Sequence, residues 1–340
     1  MRSGYILGGI LALALAGAPA ALGQDSDAPK PAGESDAADS QRGIDPVPVR
    51  EPMTIKLRPR GVHANQVQVG TGFRAIGKVF PWVPDQTVRV KLTRNKKVVF
   101  RRKVAITRVP GRNSGRFEIG SKRLIKPGTY RFRAKKHRTL THTGASASTR
   151  GIGIDYPDLD PGNRNKRVRL FNKLLDKQAY YTSNGRKYGS ATARAVLAFR
   201  KVNNMARTTN ATPGIFKKLA AGRGGFKLKW PGGGKHIEAD LSRQVMVLAR
   251  GGRARHIFHV SSGAPATPTI RGKFPTYRKD PGKNSLGMID SVYFIRGYAT
   301  HGYHSVPTYP ASHGCLRNPP ANARFIYNWI DIGDVFYVYG

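Results

Sequence analysis

The stretch Ala299-Thr-His-Gly-Tyr-His-Ser-Val-Pro-Thr-Tyr-Pro-Ala-Ser-His-Gly-Cys-Leu-Arg317 holds Cys315, the one cysteine of the 340-residue chain, and three of its nine histidines, His301, His304 and His313. A thiol is a nucleophile only as thiolate, and a neighbouring imidazole is the usual means of generating one. Gly302 and Gly314 would let backbone approach a reacting carbonyl, with the amides of Gly314 and Cys315 available to an oxyanion. These residue types point to a Cys/His acyl-transfer site. Two plainer readings compete. A lone cysteine is often a small buried hydrophobe. A Cys/His group can also hold zinc, but one Cys with three His at these spacings fits no common zinc pattern.

The same stretch resembles the catalytic motif of the L,D-transpeptidases, the YkuD-type domain: His301-Gly302, a spacer, then Ser312-His-Gly-Cys-Leu-Arg317. Upstream, Val260-Ser-Ser-Gly263, Thr267-Pro268 and Gly272-Lys-Phe274 are similar to another segment of that family, so the resemblance covers roughly residues 234 to 340. It implies a mainly-β catalytic domain that needs no metal and no cofactor and acts on peptidoglycan stem peptides. In the implied chemistry Cys315 attacks the carbonyl of the third stem residue, an L-centre, and a D-residue leaves. The amine of a second stem then resolves the thioester into a 3→3 cross-link. Water as acceptor would make the same site an L,D-carboxypeptidase, and a degenerate site would leave a wall-binding structural protein.

His301, matching the family's upstream His-Gly, is the expected base. His313 is the alternative, because positions i and i+2 of an extended segment face one side. Ser312 is expected to orient the loop, and Gly314 with Cys315 to supply oxyanion donors. Arg317 is read as the ligand of a substrate carboxylate or as the partner of a structural acid. Tyr303 and Tyr309 are expected to line the cleft, with His304 on an exposed lid. Activation of the thiol would make Cys315 alkylate faster than a free cysteine at neutral pH.

A formal net charge of +40 in one chain first suggests nucleic acid. The N-terminus argues otherwise. Residues 1–23 read as a signal peptide, with a short basic start, an apolar run and small residues at Ala18-Pro-Ala20 and Ala21-Leu-Gly23; an uncleaved anchor is the competing reading. Behind such a leader the acidic partners to expect are anionic cell-wall polymers and lipid headgroups rather than nucleic acid, and the basic residues, spread over all the folded regions, otherwise read as a solvated basic surface. A single cysteine forms no disulfide within the chain, and an unpaired thiol in an exported protein is a candidate for reactivity. A monomer is expected.

Residues 24–51, rich in Asp, Ser, Ala and Pro, read as a disordered linker. Residues 52–154 read as short alternating strands, among them Val88-Arg-Val-Lys-Leu92 and Tyr130-Arg-Phe-Arg-Ala134; with their turn signals they predict an immunoglobulin-like β-sandwich. Residues 155–222 turn helical. Val168, Phe171 and Leu175 share one face, Ala195, Val196, Phe199 and Val202 another, with Ser190 or Thr192 as cap; a third helix opens at Thr212-Pro213. Tyr180-Tyr181, Asn184-Gly185, Tyr188-Gly189 and Leu219 make this part similar to the peptidoglycan-binding type 1 domain. Arg200 stands where that family usually has Gln, and Thr209-Asn210 near its usual Asp-Gly turn. Residues 223–234 read as a Gly/Pro/Lys hinge, and 235–340 as the catalytic domain, with a helix near 321–330 and a last strand over 335–339.

Overall fold

Alternation of apolar and basic side chains turns the first described part of the chain into two antiparallel sheets. In the computed structural model, which describes residues 49–340, the strands are β1 (Thr54–Arg60), β2 (Gln66–Gln68), β3 (Arg74–Phe80), β4 (Thr87–Arg94), β5 (Lys97–Ala105), β6 (Thr107–Arg108), β7 (Gly115–Gly120), β8 (Tyr130–Lys136) and β9 (Ala145–Ser148). The expected signal peptide and nearly all of the expected linker lie outside the described residues. One sheet runs β1-β3-β7-β6 and the other β5-β4-β8-β9, every neighbour antiparallel. In β8, Tyr130, Phe132 and Ala134 point inward while Arg131, Arg133 and Lys135 point to water, the period-2 pattern of a half-buried strand. Val79, Val90, Phe117 and Phe132 from both sheets form one core, so the two sheets make a sandwich. A short strand, β10 (Gly153–Asp155), pairs in parallel with β2 and leads onward.

Three helices follow: α1 (Lys166–Lys177), α2 (Ser190–Val202) and α3 (Pro213–Ala220). Asn165 caps α1 by accepting from the amides of Arg167 and Val168, and Thr212 caps α3 ahead of proline at its first turn. The expected cap of α2 is corrected. Gly189 is the N-cap and no side chain caps it. Thr192 instead donates to the buried Asn172 Oδ1 at 2.9 Å, since it sits inside the helix on the face turned to α1. Arg200 donates to the carbonyls of Asn210 and Ala206 and so fastens the 206–210 turn.

The helices do not form a separate bead. Their core of Phe171, Phe199, Phe216 and Leu219 continues into Val247 and Ile257 of the next domain and reaches Val69 of the sandwich. The Ile257 amide also donates to the Ala179 carbonyl at 2.7 Å, and Tyr180 bridges to Ile257 in parallel. The 223–234 stretch is tied down near its middle. Buried Glu238 accepts from the amides of Lys229 and Trp230 and from the Tyr339 hydroxyl, each at 2.9 Å.

The last domain holds β11 (His236–Asp240), β12 (Val245–Arg250), β13 (Arg253–His259), β14 (Gly272–Pro275), β15 (Arg278–Lys283), β16 (Ile289–Ile295), β17 (Tyr298–Gly302), β18 (Leu316–Asn318), α4 (Pro320–Trp329) and β19 (Val335–Tyr339). One sheet is ordered β13-β12-β11-β19-β14 and the other β15-β16-β17-β18. Val292, Phe294, Leu316, Ile326 and Phe336 share the core that joins them. β17 and β18 are parallel neighbours joined by residues 303–315. Parallel neighbours require a crossover connection, and here it is the motif loop itself. Among the described residues no helix is long and apolar enough to cross a membrane.

Candidate active site

The parallel register sets Thr300 opposite Leu316 and His301 opposite Arg317. Ala299 and His301 share one face of β17 because strand side chains alternate. Cys315 enters β18 from the loop and packs on Ala299, with Met288 and Tyr293 beneath it. The thiol and the imidazole therefore face one side of adjacent strands. Cys315 is half-buried and its Sγ lies 3.7 Å from the Gly297 carbonyl. His301 is 3 % exposed.

The imidazole has a fixed tautomer. Its Nδ1 lies 3.0 Å from the Gly302 carbonyl oxygen; a carbonyl only accepts, so Nδ1 carries the hydrogen and Nε2 keeps its lone pair. Burial holds the His301 pKa below its ordinary value, partly opposed by the Gly302 bond and reinforced by Arg317. Burial pushes the Cys315 thiol up, while a backbone hydrogen bond with Ala299 and the Arg317 charge work the other way. Burial is the larger effect at both groups, so both rest neutral near pH 7. The pre-formed thiolate behind the expected fast alkylation is not what this environment favours.

Tyr303 binds the cluster together. Its ring meets the His301 ring edge-on at 5.7 Å, and the Arg317 guanidinium stands over the same ring, 4.3 Å from its centroid. No Asp or Glu among the described residues lies within 4.0 Å of Arg317, so of its two expected roles only the structural acid lacks a candidate there. Tyr309 is 61 % exposed at the outer end of the loop. His304 is exposed and stacks at 4.3 Å on Tyr303.

His313 is placed differently from an extended strand. Residues 313–315 form a bend with Gly314 at φ +110°, and His313 is exposed. The same bend explains Gly314: a Cβ there would lie 2.1 Å from the Tyr298 ring. Gly302 is required by packing instead, because a Cβ would meet Ala323 of α4 at 2.7 Å. Ser312 is buried, donates to the Cys315 carbonyl at 2.6 Å and accepts from the Gly314 amide at 3.1 Å. Of the two expected oxyanion donors, the Gly314 amide is thus already engaged.

A cradle behind the loop holds it in place. The amides of Ala311 and Ser312 donate to the Ser262 carbonyl at 2.8 and 2.9 Å, and the amides of Ser261 and Arg317 exchange bonds with each other's carbonyls at 2.9 Å. Thr267 Oγ1 donates to the Ser312 carbonyl at 2.9 Å. Thr269 Oγ1 accepts from the Gly263 amide at 2.9 Å and donates to the Gly314 carbonyl at 2.8 Å. Sequence reasoning noted Val260–Gly263 and Thr267-Pro268 but missed Thr269. A second hydroxyl two residues after Thr267 was its signal.

A thiol and an imidazole on neighbouring strands of a mainly-β domain define the class as an acyl-transfer enzyme. Residues 234–338 match the family model of the L,D-transpeptidase catalytic domain, YkuD. A solved L,D-transpeptidase from Xylanimonas cellulosilytica is 31% identical, with 54% of this chain and 98% of that chain covered and a TM-score of 0.50. One from Stackebrandtia nassauensis is 19% identical, covering 55% and 97%, with a TM-score of 0.34. The catalytic domain of the Enterococcus faecium L,D-transpeptidase is 23% identical, covering 32% and 98%, with a TM-score of 0.28. A search of curated proteins finds no match. The chain belongs to the L,D-transpeptidase family, which acts on peptidoglycan.

Proposed function

We propose that this chain is an exported enzyme that forms 3→3 cross-links between peptidoglycan stems through a thioester on Cys315. The observation that carries the reading is the placement of Cys315 and His301 on one face of the parallel β17–β18 pair, with Nε2 of His301 left as acceptor. Nε2 takes the thiol proton as Sγ attacks the carbonyl of the third stem residue. The peptide bond to the D-residue breaks, the imidazolium returns its proton to the leaving amine, and the thioester remains. The amine of a second stem attacks that thioester, losing its proton to His301, and regenerates the thiol. The Cys315 amide is the remaining oxyanion donor of the pair, and Gly314 can join it once the Ser312 hydroxyl turns away. Arg317, with no carboxylate partner of its own, is assigned to a stem carboxylate.

The sheet orders support an immunoglobulin-like reading of residues 52–154, since β1-β3-β7-β6 and β5-β4-β8-β9 correspond to strands A-B-E-D and C′-C-F-G. The second sheet also supports a partner. Its four strands hold eleven Lys and Arg and no Asp or Glu. Arg89 faces both Lys103 and Lys135, and Lys91 faces both Arg101 and Arg133. Like charges directly opposite are destabilising, so this face suits an anionic wall polymer rather than open water. Its outward grid has no aromatic on which a base could stack, which disfavours single-stranded nucleic acid. Residues 155–222 are assigned to the peptidoglycan-binding type 1 class, and the enzyme to a monomer.

The deciding test is a mass spectrum after incubation with a disaccharide-tetrapeptide, beside a Cys315→Ala control. A Cys315-dependent dimer lacking one D-residue is expected. A Cys315-dependent tripeptide without dimer would make the enzyme an L,D-carboxypeptidase, and unchanged substrate would sink both.

A further inference from the structure

Lys201 lies in α2, in the helical domain, yet its ammonium ends inside the catalytic domain. Its Nζ donates to the Val260 carbonyl at 2.9 Å and to the Gln244 carbonyl at 3.1 Å. The side chain is 2 % exposed, and no carboxylate among the described residues lies within 4.0 Å of it. Burying an unpaired ammonium costs several kcal/mol, of order that needed to unfold a marginal domain. A helix that only needed to pack here would use Leu or Met.

The two carbonyls it holds belong to the base of the nucleophile's cradle. Gln244 sits at φ +57° and clasps Ser262 from both ends, accepting its amide at 2.9 Å and donating to its Oγ at 2.6 Å. The Ser262 carbonyl takes the amides of Ala311 and Ser312, and Ser312 holds the Cys315 carbonyl. Three residues, Gln244, Ser262 and Ser312, therefore stand between Lys201 and Cys315.

A second cation reaches the other side of the same loop. Arg207, five residues past the end of α2, donates through Nη1 to the Thr308 carbonyl and through Nη2 to the Ser242 carbonyl at 3.2 Å. Thr308 lies in the 303–315 connection between His301 and Cys315. One helix and the turn after it thus grip the cradle from behind and the loop from its flank.

We propose that the helical domain is a working part of the active site, with Lys201 and Arg207 as positioning residues that hold the Ser261–Gly263 cradle and the 303–315 loop around Cys315. The domain so acts on catalysis, whatever glycan it also meets. Either protonation state of Lys201 keeps the two N–H donors that its two carbonyls need. The idea rests on Cys315 being the nucleophile, so its test reads the thiol directly as well as turnover.

The experiment uses the full chain and three variants: Lys201→Met, Arg207→Ala and Arg207→Lys. For each, stem-peptide turnover, the rate of Cys315 alkylation by iodoacetamide, and the melting midpoint are measured. Arg207 is exposed, so Arg207→Ala should fold even if Lys201→Met does not. Misplacing a reacting group by about 1 Å costs on the order of 100-fold, and a loosened loop should lose at least ~10-fold of that in kcat with KM little changed. Alkylation should speed up severalfold as the half-buried thiol opens, at an unchanged midpoint for Arg207→Ala. Arg207→Lys should recover part of both changes. Wild-type alkylation and turnover in both Lys201→Met and Arg207→Ala would overturn the proposal, as would losses that follow the melting midpoint alone. Should wild-type protein fail to turn over the stem peptide, the alkylation rates still decide whether the clamp exists.

Discussion

His301 and Arg317 stand directly opposite each other across the parallel β17–β18 pair, both against the ring of Tyr303. The guanidinium disfavours an imidazolium at His301 and favours a thiolate at Cys315. It thereby makes the proton easy to give up at the sulfur and costly to keep at the imidazole. Proton transfer is then best completed together with attack, when the leaving amine is there to receive the proton.

The thiol should titrate late. Burial raises its pKa, so alkylation of Cys315 by iodoacetamide at pH 7 should be slower than that of free cysteine. Its rate should inflect above the free-cysteine value of about 8.5. Stopped-flow or mass-spectrometric rates across pH 6–10 give the inflection, about which a value under 7 would mean a resting ion pair.

The acid limb of activity belongs to His301. A base must be neutral to accept a proton, and a lowered pKa keeps it neutral to lower pH. The limb of the kcat/KM profile is therefore expected below pH 6.5, the ordinary histidine value. Arg317→Ala should move the limb up toward 6.5, and His301→Ala should cost roughly 10²–10⁴-fold with an unchanged circular-dichroism spectrum. A limb that ignores Arg317→Ala would remove the charge coupling.

Gly314→Ala should abolish turnover without unfolding the chain. The backbone sits at φ +110°, which alone costs a side-chain-bearing residue about 1–3 kcal/mol, and the added Cβ also meets the Tyr298 ring. Tyr298→Ala in the same chain relieves the clash but not the dihedral, so it should restore little activity. Full rescue would show that sterics, not backbone conformation, set the bend.

Two buried bases should make stability climb with pH. Burial lowers His259 from 6.5 to about 3 and Lys201 from 10.5 to about 7, with Lys201, Arg194 and Arg207 adding to the effect. Between pH 3 and 6.5 the unfolded chain binds a proton on His259 that the folded chain does not. Between 7 and 10.5 the same holds for Lys201. Stability rises with pH wherever the unfolded state holds more protons. Urea midpoints should rise in both windows, and Lys201→Met should flatten the upper one; a flat upper window in the wild type would contradict a neutral Lys201.

The nucleophile was legible because chemistry dictates residue types at fixed spacing, as in Ser312-His-Gly-Cys-Leu-Arg317. Strands such as β8 and β19 were legible because their alternation or apolar run has one simple explanation. What stayed hidden depends on the third dimension. Nothing in the spacing of His313 and Cys315 reveals that Gly314 turns the chain between them, or that Ser312 takes up the Gly314 amide. Lys201 is a basic residue in a very basic chain, and only the packing of α2 on β12 and β13 shows that it points inward. Thr192 resembled a cap because capping residues and buried hydroxyls are the same residue types, and its partner Asn172 is twenty positions away.

The core that runs from Phe199 through Val247 and Ile257 has a consequence for how such a protein can be divided. Cutting the chain at residue 234, where the family match begins, would strip one face of β12 and β13 and leave their apolar side chains in water. The smallest fragment able to stay folded and active should begin near Tyr156. In this chain the boundary of the reaction and the boundary of the folding unit fall almost eighty residues apart.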